Sequence, residues 1–178
     1  MGETIQAAVI GGGLVGSLFA SYLAQHKVRV DVYDLREDSR LKEQVKGRSI
    51  NLALSYRGLK ALQKVGLQNI IEDIQGIPMK GRMIHNTDGS RNAIPYDATF
   101  NQCIYSIGRK KLNDFLLSEA EKYENVNLHF NYKLRSIDVQ TGEITFASAG
   151  SSNKYLIMDH PFLISKVHLL DHRYFWDI

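Results

Sequence analysis

A glycine-rich turn between a short apolar strand and a periodic helix constrains this chain more than any other feature. Gly11, Gly13 and Gly16 follow the apolar run at residues 7–10 in the pattern G-x-G-x-x-G. Behind the turn, apolar residues recur at helical spacing, and residues 28–34 then alternate as a second strand. This strand, helix and strand predict a right-handed βαβ unit, and therefore an α/β fold with a parallel sheet.

Each glycine of the turn has its own physical reason, and together they predict a dinucleotide site. The first allows the tight turn, the second lets the backbone approach a pyrophosphate, and the third lets the helix pack closely on the strand. The helix N-terminus offers N–H groups and a positive dipole end to the phosphates. Asp34 ends the second strand 18 residues after Gly16, where its carboxylate can accept hydrogen bonds from a ribose hydroxyl pair.

The motif by itself does not distinguish NAD from FAD, and the role of Arg36 stays open between two readings. A basic residue beside Asp34 could contact a 2′-phosphate, although the acid at the strand end would repel that phosphate. Alternatively, Arg36 is a solvated charge of the loop.

Composition sets the broad class. The chain has 178 residues, 44% of them hydrophobic, and a net charge of +3, which is too slight to indicate a nucleic-acid partner. One cysteine, Cys103, excludes an internal disulfide and a cysteine-rich zinc site and suits a reducing compartment. No apolar run approaches the roughly 18 residues of a membrane span, and no signal peptide opens the chain. We expect a soluble, cytoplasmic protein.

The rest of the chain alternates helices with hairpins. A flexible boundary is expected at residues 150–153, which divides the chain into a dinucleotide-binding domain over 1–150 and a tail of unknown structure over 151–178. The tail contains His160, His168 and His172, which lack an accompanying cysteine or Glu-x-x-His, so we predict no metal site.

The remaining predicted elements are a helix over 59–65 that stops at Gly66, a hairpin of 79–85 and 93–96 about Asp88-Gly89, a helix from Leu112, a strand over 126–130, and a hairpin of 133–140 and 143–147.

Several segments resemble one enzyme family. GRSINLALS at residues 47–55 is the most specific of them, and IGGGLVGS at 10–17, VDVYDLRED at 30–38, GIPMKGRMIH at 76–85 and IPY at 94–96 accompany it. Together they resemble the kynurenine 3-monooxygenase family of flavin-dependent aromatic hydroxylases. The resemblance runs from about Ala7 to Phe146 and implies the Rossmann-like FAD- and NAD(P)-binding fold of the para-hydroxybenzoate hydroxylase type, here incomplete and with β-hairpin insertions.

The resemblance implies an FAD site with NADPH as co-substrate, in which the flavin does the chemistry and no side chain is catalytic. Asp34 stands where the family usually has Glu, so its ribose contact would be longer or bridged by water. The positions that match the family's cofactor-binding residues are Gly11, Gly13, Val15, Gly16, Tyr33, Asp34, Leu35, Arg36, Ala53, Arg109 and Leu134.

The resemblance also implies a substrate site on the hairpin at about residues 76–96. Arg82 and Tyr96 match the pair that holds the amino-acid carboxylate of L-kynurenine, a small molecule whose carboxylate an arginine fork can bind bidentately. Without the resemblance, Arg82 reads as a surface charge on a hairpin and Tyr96 as a cross-strand aromatic.

Two later family motifs, a strand ending in Asp-Gly and a Gly-Asp-Ala-Ala-His-like segment, are not found after residue 147. The family's C-terminal anchor, which holds it on the cytosolic face of the mitochondrial outer membrane, is not found either. We therefore expect a truncated or differently spliced product, with one side of its parallel sheet unpartnered, weakened FAD affinity and little or no hydroxylase activity.

Two other functions stay open. One is a non-catalytic isoform or interaction module that binds a dinucleotide. The other is an NAD-dependent dehydrogenase, which fits the glycine motif and leaves GRSINLALS without a role. The oligomeric state cannot be read from the sequence.

Overall fold

The computed structural model of the protein describes residues 5–41, 51–100, 102–138 and 140–147, and the backbone of 148, 151–157 and 162–164. The predicted segment over 47–50 lies outside the described residues. In chain order the elements are β1 Gln6–Ile10, α1 Leu14–Gln25, β2 Arg29–Asp34, a 3-10 turn at Ser39–Leu41, β3 Asn51–Leu54, α2 Tyr56–Lys64, α3 Ile70–Asp73, β4 Ile77–Met79, β5 Gly81–His85, β6 Arg91–Pro95, β7 Ile104–Gly108, α4 Arg109–Glu121, β8 Val126–Phe130, β9 Tyr132–Asp138, β10 Glu143–Ser148, β11 Ser151–Ile157 and β12 Phe162–Ile164.

By contacts the chain forms two units. The first unit contains residues 1–38 and 120–178, and the second contains residues 39–119. The first unit carries a parallel sheet in the order β12-β1-β2-β8 and an antiparallel sheet in the order β11-β10-β9. The second carries an antiparallel sheet in the order β3-β7-β4 and the separate hairpin β5-β6. The predicted βαβ unit and both predicted hairpins are confirmed.

The core of the first unit lies on both faces of the parallel sheet, so every residue of β2 after Arg29 is buried. Val30 and Val32 point to one face, where they join Ala20 and Ala24 of α1 in a buried cluster. On the other face Tyr33 joins residues of β1 and β10 in a second cluster with Ala8, Ile144 and Phe146.

Residues of the predicted tail take part in these sheets. β11 pairs antiparallel with β10, so residues 151–153, expected as a flexible boundary, are strand. β12 pairs parallel with β1, through the register Ala7 with Phe162 and Val9 with Ile164. Strand β1 is therefore paired on both sides. The division of the chain into a domain over 1–150 and a tail over 151–178 stays a prediction.

Glycines and helix ends follow the sequence signals in the second unit. Helix α2 ends just before Gly66, which has a φ of 84° and lies in the left-handed region that favours glycine. The β5–β6 hairpin turns at Asp88 and Gly89, where Gly89 also has a φ of 84°. Across the described parts of the chain, no helix is both long and apolar enough to cross a membrane.

Candidate functional site

The turn between β1 and α1 requires glycine at two positions. Gly11 has a φ of 108°, and its N–H donates to the carbonyl oxygen of Tyr33 at 2.7 Å, which ties the turn to β2. A Cβ on Gly16 would lie 1.9 Å from the carbonyl oxygen of Gly11, a distance no side chain tolerates. Gly16 therefore lets the first turn of α1 lie directly against the end of β1.

Gly13 has a different role, because it leaves space open in front of the helix. It is the N-cap of α1, with ordinary extended backbone, and a Cβ there would meet nothing within 4 Å. No side chain caps this helix end, and its first turn has no acidic residue. The first helical hydrogen bond runs from the Ser17 N–H to the Gly13 carbonyl oxygen at 2.9 Å, so the N–H groups of residues 14–16 lie ahead of it. Val15 is 61% exposed beside this end. The arrangement fits an anion such as a pyrophosphate.

The carboxylate of Asp34 lies next to this turn and is buried, with 5% of the residue exposed. The Gly12 N–H donates to its Oδ2 at 2.8 Å, which joins the end of β2 to the glycine turn. Sequence reasoning missed this contact, although the pattern contains its signal. Gly12 follows β1 and Asp34 ends β2, and these strands are parallel neighbours, so both residues lie at the same edge of the sheet.

Arg36 donates hydrogen bonds to the same carboxylate. Its backbone N–H and Nε donate to Asp34 Oδ1 at 2.8 and 3.0 Å, and its second guanidinium nitrogen donates to Oδ2 at 2.9 Å. Burial alone would raise the pKa of Asp34, but these hydrogen bonds and the guanidinium charge outweigh it and hold that pKa below its usual value. The Arg36 side chain is 66% exposed. Its guanidinium is nevertheless paired.

Of the other candidate cofactor residues of the first unit, one has an exposed side chain and two have side chains in the core. Leu35 is 66% exposed, beside the Asp34 carboxylate in sequence. Tyr33 is 3% exposed, with its ring stacked on Phe146 at 4.3 Å between centroids. Leu134 is half-buried and packs against that same aromatic cluster. The side chains of Tyr33 and Leu134 thus belong to the core beneath the second face of the sheet.

A buried acid on the same face was not singled out from the sequence. Asp31 accepts hydrogen bonds from Gln6 Nε2 at 3.1 Å and Asn127 Nδ2 at 3.2 Å, and its Oδ1 lies 2.9 Å from His129 Nε2. Burial would raise the pKa of Asp31, but the contacts with His129, Gln6 and Asn127 prevail and lower it. Burial, followed by the nearby Asp31 carboxylate, raises the pKa of Tyr33. A charged residue in the middle of an apolar strand was the available signal.

In the second unit, the sheet β3-β7-β4 brings together two candidate flavin-lining residues. Ala53 in β3 is exposed and pairs with Ser106 in β7. Arg109 follows three residues later as the first residue of α4, and it is exposed too. Arg109 therefore lies just beyond the Asn51–Gly108 end of the β3–β7 pair, and Ala53 lies two residues in from that end.

The β5–β6 hairpin brings together the two candidate substrate residues. Arg82 pairs with Ile94, and Tyr96 lies two residues beyond Ile94, so both side chains belong to one face as diagonal neighbours. The Tyr96 N–H donates to the carbonyl oxygen of Lys80 at 3.0 Å, which extends the pairing past the end of β6. Arg82 is exposed, and Tyr96 is 44% exposed. Such a face can offer a guanidinium and a phenol to one carboxylate.

Within the described ranges, no group of three or more histidine, cysteine, aspartate or glutamate residues could hold a metal ion. The three histidines weighed from the sequence, His160, His168 and His172, lie outside those ranges.

The glycine turn and Asp34 lie in a segment that matches a known family model. Residues 9–49 match a family model described as an NAD(P)-binding Rossmann-like domain. That span contains the glycine turn, α1, β2 and Asp34, which are the elements that form the site of the first unit.

Curated relatives match most of the chain. Kynurenine 3-monooxygenase of Anopheles gambiae is 52% identical over 143 residues, which are 80% of this chain and 29% of the relative. Kynurenine 3-monooxygenase of Sus scrofa is 51% identical over 152 residues, which are 85% of this chain and 32% of the relative. The chain thus spans about a third of the length of these relatives.

Solved structures establish the fold. The crystal structure of PqsL, a probable FAD-dependent monooxygenase from Pseudomonas aeruginosa, superposes with a TM-score of 0.65 at 15% identity and covers 81% of this chain and 38% of that one. The fold is, in part, that of FAD-dependent monooxygenases of the para-hydroxybenzoate hydroxylase type, as the resemblance implied.

Proposed function

This chain is a homologue of the kynurenine 3-monooxygenases, and we propose that it serves the flavin-dependent hydroxylation of L-kynurenine to 3-hydroxykynurenine with NADPH and O2. The observation that carries the proposal is identity of about one residue in two to these enzymes over four-fifths of the chain. The glycine turn and the single face that Arg82 shares with Tyr96 support it from the geometry.

The residues of the first unit fit the adenosine diphosphate part of FAD. The N–H groups at the start of α1 would bind the pyrophosphate, in the space that Gly13 leaves open. Asp34 would accept the ribose hydroxyls, and the exposed Val15 and Leu35 would flank the nucleotide. In the second unit, Ala53 and Arg109 would line the flavin. When bound, FAD supplies the redox chemistry that activates oxygen, with NADPH as its reductant.

The hairpin of the second unit would bind the substrate through its amino-acid group. The Arg82 guanidinium would pair with the carboxylate of L-kynurenine, and the Tyr96 hydroxyl would donate a hydrogen bond to one of its oxygens. Both groups orient the substrate and do not react. Their exposure leaves them accessible to a small molecule.

Purified protein tests the proposal directly. We expect the protein to bind flavin weakly, and NADPH oxidation that depends on L-kynurenine, with 3-hydroxykynurenine as product, to be slow. Protein that binds ADP without binding flavin would contradict the flavin assignment. Protein that binds flavin without forming the product would instead favour the second candidate below.

Dinucleotide binding without hydroxylation is the second candidate, and one observation favours it. The chain spans about a third of the curated relatives, while the family model and the glycine turn lie wholly within it. Binding of FAD together with complete absence of product would establish this function.

For the cellular location, we propose the cytoplasm for this chain, whereas the resemblance implies the cytosolic face of the mitochondrial outer membrane for the family. Fractionation of cells that express the chain tests the proposal, and recovery in another compartment would refute it.

A further inference from the structure

The contacts of the Asp34 carboxylate bear on how a nucleotide enters this site. A carboxylate has about four acceptor positions, two on each oxygen. On Oδ1 the Arg36 backbone N–H and Nε fill two, and on Oδ2 the Gly12 N–H and the second Arg36 guanidinium nitrogen fill the other two. The carboxylate therefore has its full set of donors before any ribose arrives.

The four donors are not equivalent. The Gly12 N–H belongs to the glycine turn, and the Arg36 backbone N–H belongs to a segment held by a second bond, from the Asn131 N–H to the Arg36 carbonyl oxygen at 3.1 Å. The two guanidinium donors are carried by a side chain that is 66% exposed. They can leave by rotation of that side chain while the backbone stays in place.

The two guanidinium donors equal in number the two hydroxyl donors of a ribose diol. They offer two parallel N–H groups to the two carboxylate oxygens, as the 2′- and 3′-hydroxyls of a ribose offer two O–H groups to the same pair. A diol on Asp34 and a guanidinium on Asp34 therefore exclude each other.

We propose that Arg36 is a specificity-determining residue that occupies the ribose position of Asp34 and must withdraw when a nucleotide binds. The inference rests on the proposed dinucleotide function of the first unit. Occupancy by Arg36 lowers the apparent affinity, because only the fraction of molecules with a withdrawn side chain can accept the ribose. A ligand that lacks one of the two hydroxyls cannot replace both guanidinium bonds.

The experiment is isothermal titration of the purified chain with ADP and with 2′-deoxy-ADP, for the wild type and for Arg36→Ala. Since an exposed ion pair is weak, we expect Arg36→Ala to bind ADP about two- to five-fold more tightly. We expect less tightening for 2′-deoxy-ADP, which has one hydroxyl to offer to Asp34. Arg36→Lys can make only a point contact with Asp34, so its affinity for ADP should lie between those of the wild type and Arg36→Ala.

Arg29→Ala is the matched control. It removes the same charge from the exposed first residue of β2, at the end of the strand opposite Asp34. It should leave both affinities unchanged, apart from a small loss of phosphate attraction common to every Arg-to-Ala variant. Circular dichroism confirms that each variant is folded.

A direct readout separates displacement from a general effect of charge. In 15N-labelled wild type, the Arg36 Nε–H resonance, identified by its loss in Arg36→Ala, should shift and exchange faster with water when ADP is added. It should change much less with 2′-deoxy-ADP.

Equal or weaker ADP binding by Arg36→Ala would overturn the inference while leaving dinucleotide binding intact. Equal tightening for both nucleotides would also overturn it, since the ribose diol would then have no part in the effect. Failure of folded wild type and folded Arg36→Ala to bind ADP would instead overturn the dinucleotide function itself, and the inference with it.

Discussion

Gly16 and Gly11 are packed so closely that a methyl group on Gly16 would lie 1.9 Å from the carbonyl oxygen of Gly11. Gly16→Ala should therefore force α1 away from β1 and destabilise the first unit by several kcal/mol, on the order of 3 kcal/mol as for other severe overpacking. The free energy of unfolding in urea, followed by circular dichroism, measures the loss.

Gly13→Ala is the matched control for this substitution. A Cβ there meets nothing within 4 Å, and the backbone φ of −83° suits any residue. Its free energy of unfolding should stay within about 1 kcal/mol of the wild type, while flavin retention falls because the new methyl group occupies the space in front of the helix. Equal stabilities for the two variants would show that the close approach is not required.

Arg82→Ala should weaken binding of L-kynurenine by about tenfold, because a charge-assisted hydrogen bond is worth roughly 1.5 to 3 kcal/mol and this one is exposed to solvent. Isothermal titration of flavin-loaded protein measures the dissociation constant. Arg91→Ala is the control, since Arg91 is exposed on the same hairpin and its pairing with His85 places it on the opposite face. Equal losses in both variants would argue against a specific carboxylate contact.

Asp31→Asn should change how stability depends on pH. The pKa of Asp31 is lowered by folding below its ordinary value of 3.8, so its ionised form stabilises the fold above about pH 4, and this contribution is lost as the pH falls through the lowered value. The wild type should therefore lose more free energy of unfolding between pH 6 and pH 3 than Asp31→Asn does.

Urea titrations at the two pH values measure this difference. Asp73→Asn, which removes an exposed carboxylate from α3, is the control for net charge. At neutral pH, Asp31→Asn should also be less stable than the wild type by about 1 to 3 kcal/mol, because His129, Gln6 and Asn127 lose a charged acceptor. Parallel pH profiles for wild type and Asp31→Asn would contradict the prediction.

Ser17→Ala should stabilise the protein by roughly 0.5 to 1 kcal/mol. Its side-chain hydroxyl is fully buried and has no hydrogen-bond partner in the described part of the chain, and alanine favours a helix more than serine does. Ser21→Ala is the comparison, because the Ser21 hydroxyl is buried one turn later and donates to the Ser17 carbonyl oxygen at 3.3 Å. If Ser17→Ala is the more destabilising of the two, the hydroxyl has a partner in solution. Thermal unfolding distinguishes these results.

The sequence predicts those parts of the fold that depend on local chemistry. The glycine turn, α1 and β2 follow from the order of glycines and apolar residues, and the two hairpins follow from Asp88-Gly89 and Thr141-Gly142. The pairing of β12 with β1 does not follow, because residues 162–164 are short, far away in sequence, and carry no signal that specifies a partner.

The site shows the same division between local and distant information. The place of Asp34 follows from its spacing after Gly16, but the closure of Arg36 over it depends on a side-chain rotamer, which a motif does not specify. Tyr33 matches a cofactor-binding position of the family. Such a match does not say whether the backbone or the side chain would contact the cofactor. In the structure, the ring of Tyr33 packs in the core. The contact of Asp31 with His129 joins residues 98 positions apart.

Strands β2 and β8 are hydrogen-bonded neighbours, but residues 35–125 are translated between them. At about 5 to 20 residues per second, β2 leaves the ribosome roughly 5 to 18 s before the strand that completes it. During that interval, the edge of β2 and the face that carries Tyr33, which Ile144 and Phe146 of β10 cover later, are exposed on the nascent chain. The order of synthesis therefore makes this strand a transient target for chaperones that bind extended apolar segments, until Val126–Phe130 arrives.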